Sequence, residues 1–479
     1  MKNVDEDLAE FCVNFAQKNG ASYSECRFIS TSEDGYILKN GIPESSILTT
    51  SKGVGIRVLA NGGLSFLSIN KLDDRKNIKS KIKEAIRLAK ASSKTLKEPI
   101  SLSKEKIIKD SWQLKPKIKF ENIDPKEKMD YLIDIEKELK DIRNKLPSRL
   151  FQLSTSTEEK YFVSSEGAKI YSKIPRLGIF YSVLAAVGGK TEQRYYPAGE
   201  SGGWEILKKW DFIKRISEES RNLIKIIKEA KSLQRENLDV VLSPELVGIA
   251  MHESCGHPSE ADRIMGREGA QAGESYLNKE WLGKRIGSDA VTVVDDPKIK
   301  NSWGFYEYDD EGVPATRRFL IKDGLINDFL QNRETAVKFN KPSNAAARAS
   351  AFDREPLIRM STTFMLPGNF SFEEILEGIK KGVYIKTYTE WNIDDRRWNQ
   401  KYVGSEAYLI ENGELKGLAK RPVLEITTKG FFSSVDACSK EKDLDFIGGS
   451  CGKGDPMQGV PVWMGGPFIR LRGIQMSSG

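Results

Sequence analysis

Only two histidines occur in this chain of 479 residues, His252 and His257. Histidine chemistry near neutral pH is therefore confined to one place. Cysteine is sparse too. Cys12, Cys26, Cys255, Cys438 and Cys451 are an odd number with no Cys-x-x-Cys pair. That pattern gives no disulfide framework and fits a reducing compartment. Long apolar runs are missing. The longest lies near Tyr181–Val187, far short of the roughly 20 residues a spanning helix needs, so no membrane segment is expected. The N-terminal stretch Met1–Phe11 is acidic where a secretory signal would be basic and then apolar, which predicts a cytoplasmic protein. Neither sign of charge dominates, with 75 basic residues against 68 acidic ones. The basic residues mostly alternate with acids, as in Lys79–Arg87 and Lys126–Lys140. Those stretches read as solvated helix faces, and a nucleic-acid partner is not expected.

The length exceeds what one core usually supports, so two domains are expected. Leu8, Phe11, Cys12 and Phe15 share one face of a helix over Glu6–Lys18, which Asn19-Gly20 ends. From Ser22 to Asn70 the pattern changes to short alternating runs. Glu33-Asp34-Gly35, Asn40-Gly41 and Asn61-Gly62-Gly63 divide them, as in a meander of hairpins. A second helix carries Ile78, Ile82, Ala85, Ile86 and Ala89. A third starts at Asp124-Pro125, a capping residue and a first-turn proline. Strand signals return over Phe151–Val187, and a further helix is expected over Glu205–Leu233. The lysine-rich stretch Lys228–Asn237 is the boundary candidate. Beyond it Asp239–Leu242 reads as a buried strand, and Ser243-Pro244-Glu245 opens a helix. After about residue 290 strand and turn dominate, with turns at Asp323-Gly324, Asn412-Gly413 and Lys429-Gly430. The expected class is α+β. An N-terminal domain of mixed helix and sheet covers 1–235. A largely antiparallel β domain, carrying one helix with the histidines, covers 236–479.

The two histidines sit in one stretch, His252-Glu253-Ser254-Cys255-Gly256-His257. Imidazole is the commonest metal ligand, and an adjacent carboxylate can act as a general base. A spacing of four would put both rings on one helix face. A spacing of five turns about 500° at about 100° per residue, so in a regular helix the rings would diverge. Two remedies exist. A π-bulge widens the turn by one residue and is often found at functional sites. Alternatively the helix ends near Gly256, with Pro258 favouring extended backbone at His257.

A catalytic zinc site normally takes three protein ligands and leaves one position open. With no third histidine, the remaining ligand must be Cys, Asp or Glu, and Cys255, Glu260, Asp262, Cys438 and Cys451 are the candidates. Helix geometry points Cys255 away from His252. Cys438, in Asp436–Lys440, reads as a loop cysteine. Cys451 lies in the glycine-rich loop Gly448–Gly454, which permits close backbone approach, and thiolate is a good zinc ligand. That loop is not a phosphate-binding P-loop. Ile447 stands where the first glycine is required, and Gly454 where Ser or Thr is required.

These residues, with Glu260-x-Asp262, resemble the signature of the TldD/PmbA family of metallopeptidases, formerly named as modulators of DNA gyrase. Further family-like blocks are Asp309–Gly312, Ile321–Gly324, Arg359-Met360-Ser361 before Leu366-Pro367-Gly368, Ser405–Gly413 and Cys451-Gly452-Lys453. The resemblance implies a zinc peptidase with His252, His257 and Cys451 as ligands. It also implies a heterodimer with a homologous PmbA-type (TldE-type) chain that lacks the metal motif. A homodimer is expected when the chain is alone, and small or unfolded polypeptides are the implied substrates. Two departures from the family pattern bear on substrate preference. Tyr388–Trp398 stands in place of a glycine-rich segment, and Ala346-Ala347-Arg348 in place of an Asn-Gly-Arg triplet. The expected chemistry is metal-assisted peptide hydrolysis with Glu253 as the base. Arg348 and Arg359 are candidates for stabilising the oxyanion, though structural ion pairs are their more ordinary use. The rival reading is a non-catalytic DNA- or gyrase-associated module with a structural metal site.

Overall fold

A computed structural model of the chain describes residues 2–270, 272–454 and 456–479. The class is α+β, with mostly antiparallel sheets. Seven strands build the N-terminal sheet. They are Tyr23–Lys39 (β1), Ile42–Ala60 (β2), Gly63–Ile69 (β3), Lys109–Gln113 (β4), Ser148–Ser164 (β5), Lys169–Val187 (β6) and Lys190–Ser201 (β7). Their order is β3-β2-β1-β5-β6-β4, and β7 also pairs with β6. Asn40-Gly41 and Asn61-Gly62 make the tight hairpin turns, each with positive φ, as two-residue connections between right-twisted strands require. The expected turn at Glu33-Asp34-Gly35 is absent. Those residues lie inside β1, where Gly35 pairs with Ile47 on one side and Ser154 on the other. Partners on both sides outweigh the local turn composition.

The helix Glu6–Lys18 forms as expected, capped by Asp5. With Arg75–Ser92 it covers one part of the sheet, over a core that includes Cys12, Cys26, Phe28 and Ile56. Pro125–Glu138, capped by Asp124, and Phe212–Glu229 pack on another part. The single helix expected over Glu205–Leu233 is two. Glu205–Lys209 is separated from Phe212–Glu229 by Asp211, whose φ of 32° cannot continue a right-handed helix.

The two large sheets of the rest of the chain have ten and six strands, and Ala347–Arg348 pairs separately with Leu357–Ile358. Strand Glu236–Leu242 lies inside the larger one, parallel to Lys381–Ile385 and antiparallel to Ile469–Ser478. It runs straight into the helix Pro244–Met251, with Ser243 as cap and Pro244 in the first turn. That helix lies on the six-stranded sheet. A Cβ on Gly248 would stand 2.8 Å from the Gly465 backbone nitrogen, so only glycine allows this approach. Two C-terminal expectations are corrected. Lys429-Gly430 belongs to a short helix, Thr428–Ser434, capped by Thr427. Cys438 ends the strand Val435–Cys438 and is buried.

The two halves are joined by ion pairs. Arg57 of β2 reaches Glu311 at 2.5 Å with both side chains buried, and buried Arg333 reaches exposed Glu166 at 2.9 Å. The N-terminal sheet draws on residues 23–201 and the other two on residues 231–478. A division near 235/236 is kept as a proposal.

Candidate metal centre

The helix Pro244–Met251 does not stop at His252. It widens into a π-helical turn over His252–Gly256 and tightens to a 3₁₀ turn over His257–Ser259. The extra residue brings the two imidazoles back to one side. Their ring centroids are 4.7 Å apart and the rings are nearly perpendicular. Gly256 is required by space. A Cβ there would lie 1.9 Å from Sδ of buried Met360.

Cys451 arrives from an edge strand of the six-stranded sheet, Asp445–Lys453, which pairs with Gln458–Gly466. Its Sγ is 3.3 Å from Nε2 of His257. The donor atoms of His252, His257 and Cys451 all lie within 4.8 Å of one another, and all three residues are buried. Arg359 fixes the strand, donating to the carbonyl oxygens of Cys451 and of Gln458.

Three observations make this donor set fit a zinc ion. First, Nδ1 of His252 is buried with no hydrogen-bond partner among the described residues, a costly arrangement unless a ligand takes the lone pair. Second, Nδ1 of His257 meets Oε2 of Glu260 at 3.1 Å. Donating that proton fixes the tautomer that leaves Nε2 free, the usual support of a metal-bound histidine. Third, the electrostatics favour the ligating forms. Burial pushes both imidazoles below their ordinary range, so they stay neutral. Burial would raise the Cys451 thiol, but the positive Arg359 guanidinium works against it, and the thiol lies below its usual value.

The other candidate ligands are engaged elsewhere. Buried Glu260 receives Arg263 at 2.5 Å and Lys453 at 3.2 Å besides His257. Asp262 is bound by Lys453 at 2.7 and 2.8 Å. Cys255 sits in the apolar core, where burial pushes its thiol far up. Cys438 lies near the Ala290 carbonyl and Met365. Arg348 donates to the carbonyl of Met360 at 2.6 Å. It therefore supports the backbone beside Gly256, as Arg359 supports that of Cys451.

Glu253 is buried beside the histidines, and its Oε2 is ion-paired with Arg397. Nothing in the residue pattern singled out Arg397, because 144 positions separate the two. The only signal was that Tyr388–Trp398 departs from the family pattern. Lys453, which ties Glu260 and Asp262 to the Cys451 strand, was also passed over. Among the described residues, a cleft of about 640 Å³ is lined in part by Asp262, Leu357, Ile358 and Gln458, and neither the histidines nor Glu253 nor Cys451 is in its lining.

The chain is similar to known proteins over nearly its whole length. Residues 235–478, 118–238 and 24–89 match the PmbA/TldA metallopeptidase C-terminal domain, central domain and domain 1. A metalloprotease of Methanocaldococcus jannaschii is 32% identical over 97% of this chain and 96% of its own. A zinc metalloprotease TldD homolog of Saccharolobus solfataricus is 25% identical over 96% of this chain and 98% of its own. Among solved structures, TldE from Thermococcus kodakarensis has the same fold, with a TM-score of 0.75 at 17% identity over 98% of this chain and 100% of that one. A Thermotoga maritima protein named for modulation of a DNA gyrase also has a TM-score of 0.75, at 20% identity over 98% and 99%.

Proposed function

The chain belongs to the PmbA/TldD family of metallopeptidases, and from that premise we propose that it is a zinc-dependent peptidase acting on small or unfolded polypeptides. One observation carries the reading. Two imidazoles, from a π-turn that also presents Glu253 and from the 3₁₀ turn after it, converge with the Cys451 sulfur of a strand, their donor atoms within 4.8 Å. His252, His257 and Cys451 hold the ion. Zinc so held supplies the Lewis acidity that lets water attack a carbonyl near neutral pH. Glu253 removes a proton from the attacking water and delivers it to the leaving amine as the carbon–nitrogen bond breaks. Glu260 keeps Nε2 of His257 free, and Lys453 and Arg359 hold the cysteine strand against the histidine turn.

The alternative is a structural metal site in a DNA- or gyrase-associated module. Such a site closes with four protein ligands, whereas the donor group has three members among the described residues. The weak charge surplus also disfavours nucleic acid. We further propose that the working form is a heterodimer with a homologous TldE-type chain, in which the site is enclosed. That reading is supported by the shared fold with TldE of T. kodakarensis.

The test is cleavage of an unfolded polypeptide by the zinc-loaded chain, alone and with a TldE-type partner, with and without chelator. Zinc-dependent cleavage that rises with the partner is expected. No cleavage in either state, with zinc bound by a fourth protein ligand, would favour the structural alternative.

A further inference from the structure

The hairpin formed by Tyr388–Ile393 and Asn399–Gly404 turns through residues 394–398 beside the π-turn. Arg397 lies in that turn with φ of 62°. This is the left-handed region, where glycine is at ease and other side chains cost energy. The side chain is also buried, and burying a guanidinium is unfavourable unless it is paired. A position where glycine would be easier on both counts thus carries an arginine.

Its contacts supply a reason. One Nη pairs with Oε2 of Glu253, and the other donates to the carbonyl of Ala272 at 3.2 Å. The turn is tightly held. Oδ1 of Asp394 accepts from the Trp398 backbone at 2.8 Å, and Oδ2 accepts from the Asn399 side chain at 2.6 Å. Thr428 donates to the Arg397 carbonyl at 2.8 Å. The Trp398 ring packs against Tyr276 and Trp281. The same hairpin grips the next residue of the π-turn, since Ser254 donates to Gln400 at 2.5 Å. Among the described residues, Arg397 supplies the hydrogen bond that the Glu253 carboxylate accepts, and it goes to Oε2.

We infer that Arg397 is a positioning residue for the peptidase reaction, anchoring one oxygen of Glu253 so that the other is aimed at the attacking water. The inference rests on Glu253 being the base. A carboxylate on a free side chain samples several rotamers, and fixing it in the reactive geometry lowers the barrier without touching substrate. The rigid anchoring of the turn is what such a role needs, and a movable blocking arm would lack it.

Arg397→Gly is the informative variant, because it relieves the backbone while deleting the guanidinium. In the zinc-loaded full chain under the conditions that support cleavage, kcat should fall by roughly 100-fold with KM little changed. Added methylguanidinium should restore part of kcat in R397G and none in E253Q. A second readout is independent of turnover. Denaturation midpoints of the zinc-loaded wild type, E253Q, R397G and the double variant should be non-additive, with the R397G shift much smaller once Glu253 is gone. Wild-type or raised kcat in R397G, a change confined to KM, or additive midpoints would overturn the inference. If E253Q itself cleaves normally, the assignment of the base has failed, and this inference fails with it for that separate reason.

Discussion

Nδ1 of His257 lies 3.1 Å from Oε2 of Glu260, and that carboxylate also receives Lys453, two residues past Cys451. One buried acid thus orients the His257 ring and ties down the strand that carries Cys451. Its charge is stabilised against burial by Lys453, Arg263 and His257, which hold its pKa well below the usual range. Glu260→Gln should therefore weaken zinc binding by roughly 10- to 100-fold. Competition with a chelator of known affinity measures this. Wild-type affinity in the variant would mean that the contact is incidental.

Cys451→Ala should remove most bound zinc, because it deletes one of three donors. Cys438→Ala should leave zinc content unchanged, since its sulfur lies near Ala290 and Met365. It should cost only about 1 kcal/mol of stability, as an ordinary buried truncation. Metal analysis of the two purified variants decides between them, and the reverse result would exchange their roles.

Gly256→Ala should destabilise the protein by about 1–3 kcal/mol, because the new methyl meets Met360 in a packed core. Met360→Ala in the same chain should recover part of that loss. Denaturant unfolding of the single and double variants checks the pair. If the alanine is tolerated without loss, the close approach does not fix the π-turn.

Acid should also act through Glu219, which lies on the helix Phe212–Glu229 and is ion-paired with Arg194 and Arg215. Burial would raise the pKa of Glu219, but Arg194 and Arg215 outweigh it and bring it down to about 2 from 4.5. With the folded value depressed, its stabilisation is fully present above about 4.5 and is lost as pH falls towards 2. The contribution is of order 3 kcal/mol. Glu219→Gln should flatten the fall in stability across that window, as followed by unfolding at several pH values. An unchanged slope would contradict the assignment.

The sequence revealed some of this architecture and not the rest, for physical reasons. A five-residue histidine spacing with Gly256 between the rings required a widened helical turn or a helix end, and the π-turn is the first of these. The capped starts at Asp124 and Ser243 were legible because a cap is a local interaction. Gly35 misled because strand pairing on both sides is a long-range effect that outweighs a turn-like tripeptide. The 205–233 segment misled because Asp211 breaks the helix with a left-handed residue that apolar periodicity does not register. Cys451 drew notice through its glycine-rich loop, and the family resemblance singled it out among five candidates, since 194 positions separate it from His257. Arg397 had only the signal that its segment departs from the family pattern, because its meaning lies in a tertiary contact with Glu253.

The central claim is that Glu253 is a base beside a zinc ion which it does not itself ligate, and Glu253→Gln tests it most directly. Zinc content and hydrolysis of an unfolded polypeptide should be measured on wild type and variant, each with a TldE-type partner. The account predicts full zinc occupancy in both and cleavage by the wild type alone. Undiminished turnover in the zinc-loaded variant would contradict it.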